Sequence, residues 1–124
     1  MADPDHHIAR RPGIEATMTD ANDFPIQMAE LQRMRVALVI LLSQETSKLL
    51  SRRQRVAGKE IELMCAERDL SQEPENDRTL RALDVLQGQE RAAKAELAET
   101  EGEIRRMEEV LAKIDADISR LCQA

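Results

Sequence analysis

Leu97, Ile104, Leu111 and Ile118 recur every seven residues, and Thr100, Met107, Ile114 and Leu121 recur at the same interval three places later. Alternating three- and four-residue spacing is the seam of a coiled coil, because it keeps one narrow apolar stripe facing one neighbouring helix. A lone helix has no reason to bury such a stripe. The rest of the chain, or a second chain, must supply the other side.

A matching column lies upstream. Leu42, Leu49, Val56, Leu63 and Leu70 repeat at seven, in a stretch that no proline interrupts from Ile26 to Leu70. Its companion column is poor, because Glu45, Arg52 and Lys59 stand where a dimeric zipper carries leucine. Polar groups there cost stability and can fix register. Asn22-Asp23-Phe24-Pro25 reads as a helix start, with capping side chains followed by a proline tolerated in the first turn. Ser71-Gln72-Glu73-Pro74-Glu75-Asn76 reads as the break. Pro74 disfavours helix at Glu73, and the short polar side chains compete for backbone hydrogen bonds.

The expected fold is therefore all-α: a long antiparallel two-helix coiled-coil hairpin over residues 23–124 with a disordered N-terminal tail. The helices are placed at about 25–70 and 77–122, with the turn at about 71–76. Residues 1–22 mix Pro4, Pro12 and Gly13 with charges and show no sustained apolar period, which reads as a disordered tail. Asp3, Asp5, His6 and His7 are metal-ligand types without a scaffold to hold them, and they read as solvated.

Charge supports the hairpin. With the turn centred near residue 73 or 74, Lys48, Arg52, Arg53 and Arg55 fall near Glu96, Glu99 and Glu101. Arg78 and Arg81 fall near Glu67 and Asp69, and Lys59 meets Glu90. The basic patch around Arg52–Arg55 is thus neutralised internally, which argues against a nucleic-acid site. So does the net charge of −6, which argues against nonspecific affinity for nucleic acid or for anionic membrane.

Composition excludes other classes. There is one aromatic residue, Phe24, in 124, so a compact globule filled by aromatics is not expected. No apolar run reaches the roughly 18 residues of a membrane span, and the first residues lack the basic-then-apolar order of a signal peptide. Cys65 and Cys122 form no C-x-x-C pair, and a reduced, cytoplasmic setting follows as the expectation. Both histidines lie in the tail, and no glycine-rich phosphate loop or paired ligand set is present. The expectation is a non-enzymatic protein with no cofactor and no bound metal.

Two places invite function. Residues 36–42 are apolar all the way round, and one facing helix covers only a stripe. Val36, Val39 and Ile40 are the expected oligomer or partner face, with a homodimer of hairpins as the simplest cover. The second place is the tip. Asp69-Leu70-Ser71, followed by Glu75-Asn76, resembles the acidic tip of Gre-type transcript-cleavage factors, interrupted here by Gln72-Glu73-Pro74 and without that family's globular C-terminal domain. The resemblance implies insertion of the tip into an RNA polymerase channel, with Asp69 and Glu75 at the positions of the acidic residues that help hold a metal ion. In length, tail and two long helices the chain is also similar to helical-hairpin export chaperones and stalk proteins of flagellar and type III systems. That likeness implies a chaperone, adaptor or assembly component whose partner is another protein.

Overall fold

In the computed structural model, which describes the backbone of residues 12–123 and the side chains of residues 23–123, two helices are present: α1 (Pro12–Gln72) and α2 (Asp77–Gln123). No strand occurs among the described residues. The fold class is all-α and the helices pack against each other as a hairpin.

α1 starts earlier than the sequence suggests. It runs through Pro25 back to Pro12. A proline fits the first helical position, where its missing N–H is not needed and its fixed φ suits the helix. Pro25 lies inside the helix instead of opening it, and withholds one intrahelical donor there. The remainder of the expected tail, with the Asp3–His7 cluster, falls outside the described residues.

The chain divides into two compact units. One comprises Met1–Leu38 with Leu111–Ala124, the other Val39–Val110. In the first unit, Leu31, Leu38, Leu111, Ile118 and Leu121 are half-buried and Ile114 is buried. Arg35 Nε donates to Asp115 Oδ1 at 2.7 Å across the helix pair.

In the second unit the seam follows the seven-residue columns closely. Val56, Ala66 and Ala93 are buried, and Leu42, Leu49, Leu63, Leu70, Leu83, Leu97 and Ile104 are half-buried. The polar column of α1 occupies the seam as well. Glu45 is tied to Lys48 of its own helix at 2.8 Å. Arg52 reaches across to donate to the hydroxyl of Thr100 and lies 3.8 Å from the Glu96 carboxylate. Thr100 is the most buried side chain of the unit, 1 % exposed, and its hydroxyl donates to the Glu96 carbonyl at 3.1 Å. A buried hydroxyl without partners is costly, so this small network is what permits a polar layer inside the seam.

The register differs slightly from the one the charges suggest. Lys59 Nζ donates to Gln89 Oε1 at 3.0 Å and pairs with Glu62 at 3.4 Å, and does not pair with Glu90. Glu90 pairs instead with Lys94, at 3.7 Å on its own helix. Arg81 Nε donates to the Asp77 carbonyl at 3.4 Å, and no ion pair among the described residues joins Arg78 or Arg81 to Glu67 or Asp69. α1 continues to Gln72, so the reversal spans Glu73–Asn76 and is centred about one residue later than residue 73 or 74. Counting outward from Gln72 and Asp77 then sets Val56 opposite Ala93, both buried.

The turn is closed by hydrogen bonds, with no positive-φ residue among those described. The Glu73 amide donates to the Asp69 carbonyl at 3.0 Å, and the Asn76 amide to the Glu73 carbonyl at 3.1 Å. Asn76 caps α2, its Oδ1 accepting from the amides of Arg78 and Thr79 at 3.0 and 3.2 Å. Its Nδ2 donates to Glu73 Oε2 at 3.0 Å. One side chain thus satisfies two orphan amides of the helix start and anchors the turn.

Two outcomes are expected. Asn76→Ala lowers stability by about 1 kcal/mol through loss of the cap, read as a lower urea midpoint with an unchanged slope. Thr100→Val lowers it by about 1–2 kcal/mol by stranding Arg52, and Arg52→Met added to Thr100→Val recovers most of that loss. Strict additivity in that cycle contradicts the Arg52–Thr100 contact.

Candidate interaction surface

The second unit leaves Val39 and Ile40 in solvent, 40 % and 53 % exposed. Both sit on α1 next to Leu42, whose side chain enters the seam and is half-buried. The reason is geometric. A helix paired with a single neighbour buries about one stripe, so apolar residues at the intervening positions stay outside. Val36, in the first unit, is 59 % exposed. The three residues picked out from the sequence are therefore each uncovered by the chain's own second helix.

The first unit also carries a shallow groove that sequence patterning did not single out. Leu31, Met34 and Leu121 form its apolar floor, and Glu30, Asp117 and Arg120 its rim, with Arg120 hydrogen-bonded to Asp117. Met34 is exposed there. The signal in the sequence was weak, because the walls come from residues far apart along the chain.

The tip belongs to the second unit. Asp69 lies in the last turn of α1 and Glu75 in the reversal, and both are exposed. Asp69 lines a groove with Gln72, Glu73, Asn76 and Thr79, and Glu75 lines one with Glu73, Pro74 and Asn76. Among the described residues no group of three or more His, Cys, Asp or Glu side chains is placed to hold a metal ion. The carboxylate fixed by a hydrogen bond at the tip is that of Glu73, not Asp69 or Glu75. Cys65 and Cys122 are free and exposed.

No helix among the described residues is long and apolar enough to cross a membrane. Comparison with family models, with curated proteins and with solved structures finds no match to this chain.

Proposed function

We propose that this chain is a non-enzymatic helical-hairpin module that binds other proteins in the cytoplasm, as an adaptor, chaperone or assembly or stalk component, and that it works as a homodimer. Membership of an export apparatus is part of the same proposal and extends the likeness in size and helix count. The observation that carries it is the exposure of Val36, Val39 and Ile40. Fully burying an aliphatic side chain of this size is worth roughly 1.5–3 kcal/mol relative to leaving it in water. Val39 and Ile40 in the second unit, and Val36 in the first, each offer an aliphatic anchor of the kind helix-in-groove recognition uses. The mixed charge elsewhere supplies a polar rim.

A second reading is an effector of RNA polymerase acting through the acidic tip. The exposure of Asp69 and Glu75 favours it.

The two readings separate by mutation. Capture of partners from the native cell, identified by mass spectrometry, is expected to be lost by at least tenfold in Val36→Glu/Val39→Glu, given about 1.5–3 kcal/mol per buried aliphatic. Asp69→Asn/Glu75→Gln is expected to leave both capture and complementation intact. The reverse pattern favours the polymerase effector and removes the adaptor reading.

A further inference from the structure

On the outer side of α1 in the second unit, opposite the seam, a second set of seven-residue columns is present. Ser43, Leu50, Ala57 and Met64 form one, and Ile40, Ser47, Gln54 and Ile61 the other, interleaved at spacings of three and four. All eight side chains are exposed, with Leu50, Ile61 and Met64 at 60 %, 61 % and 66 %. None is charged, in a chain where 34 % of residues are. The outer positions of a helix with one partner normally carry the charges. On α2 they do: the same positions there include Asp84, Arg91, Arg105 and Glu109. The outer face of α1 has instead the composition of a seam.

One of its polar members, Ser47, and the flanking Thr46 are satisfied within the helix. The Ser47 hydroxyl donates to the Ser43 carbonyl at 3.2 Å, and Thr46 beside it donates to the Leu42 carbonyl at 2.8 Å. Burying these two hydroxyls strands neither donor. A Cβ added at Gly58, on the flank of the face, meets nothing within 4 Å.

We propose that this face is the seam of a homodimer, in which α1 of a second copy of this chain packs antiparallel to it about a two-fold axis near residues 55–57. The proposal rests on the reading of the chain as a self-associating interaction module and specifies how it associates. Charge on the flanks selects the partner and its direction. One flank (Gln44, Ser51, Gly58, Cys65) is uncharged, and the other carries Thr46, Arg53, Glu60 and Glu67. In an antiparallel pair, like flanks meet each other. Arg53 then faces Glu60 of the second copy, and Glu60 faces Arg53, two opposite-charge pairs from one alignment. The same alignment opposes Leu50 to Ile61, Ser47 to Met64 and Gln54 to Ala57, small against large along the seam. A parallel pair sets the charged flank against the uncharged one and matches no charges. Within the chain Arg53 and Glu60 lie 3.9 Å from Glu101 and Lys94, at the limit of an ion pair, and their side chains are about half exposed. They are available to a partner.

The test uses the full chain with Cys65→Ser and Cys122→Ser. Sedimentation equilibrium is expected to give twice the chain mass, and Leu50→Glu/Ile61→Glu to give the monomer with unchanged helicity by circular dichroism, since neither residue enters the intrachain seam. Arg53→Glu is expected to raise the dimer dissociation constant about tenfold, and Arg53→Glu/Glu60→Arg to restore it to within about twofold, because the swap preserves both pairs. Leu50→Cys and Ile61→Cys chains, mixed and oxidised, are expected to crosslink to each other much faster than either does to itself. A wild type that is monomeric at about 100 μM, well above the micromolar range of a specific pair, overturns the proposal. So does a dimer that survives Leu50→Glu/Ile61→Glu, or faster self-crosslinking of Leu50→Cys. Because partner capture is read with Val36→Glu/Val39→Glu, a monomer that still captures its partner overturns this dimer and leaves the adaptor reading standing.

Discussion

The pairing of α1 against α2 depends on polar contacts set among the apolar columns of the seam. Arg52 crosses to the hydroxyl of Thr100, and Thr100 is the most buried side chain described. Among the described residues four apolar ones, Val56, Ala66, Ala93 and Ile114, are buried, and two of them are alanines. With so little apolar surface removed from water, the seam has small reserves, and a displaced register strands a guanidinium or a hydroxyl in a half-dry site. Specific polar contacts at seam positions restrict which alignments are tolerable, at a cost in stability. Arg52 with Thr100, and Lys59 with Gln89, serve that purpose here.

The other consequence of a two-helix pair is what it leaves uncovered. α2 concentrates its apolar residues on one side, whereas those of α1 are spread around it. α2 satisfies one stripe of α1, and Val39, Ile40, Leu50, Ile61 and Met64 remain outside in the second unit. Large apolar side chains at regular spacing on a solvated helix are a property of interaction surfaces. The surplus on α1 is the physical basis for assigning the chain to binding instead of chemistry.

Much of this was legible from residue spacing alone. The columns from Leu97 to Leu121 and from Leu42 to Leu70 identify the residues that enter the seam, and the intruders Glu45, Arg52 and Lys59 are found in it. The turn was placed one residue early, because Pro74 reads as a stop, whereas α1 extends to Gln72 and the backbone reverses within Glu73–Asn76. Lys59 reaches Gln89, the neighbour of Glu90, and Glu90 is taken up by Lys94 of its own helix. The start of α1 at Pro12 was hidden by a proline that suits both a tail and a helix start. The uncharged outer face was present in the sequence as an absence of charge at every third or fourth position from Ile40 to Met64. It stands out only once the seam is known, because its apolar members alternate with serines and a glutamine. For the tip, the resemblance drew attention to Asp69 and Glu75, but local geometry fixes Glu73, through a hydrogen bond from Asn76 that no sequence motif specifies.

The central claim is that the two helices pair within one chain in the register set by the polar layer. Disulfide trapping in dilute solution measures this directly, in a background lacking Cys65 and Cys122. Val56→Cys with Ala93→Cys is predicted to close within a single chain, since the register sets these buried residues face to face. Val56→Cys with Leu86→Cys, displaced along the same seam by seven residues or about 10 Å, is predicted to stay reduced. Crosslinking of the first pair only between chains, or preferential closure of the second pair, contradicts the account.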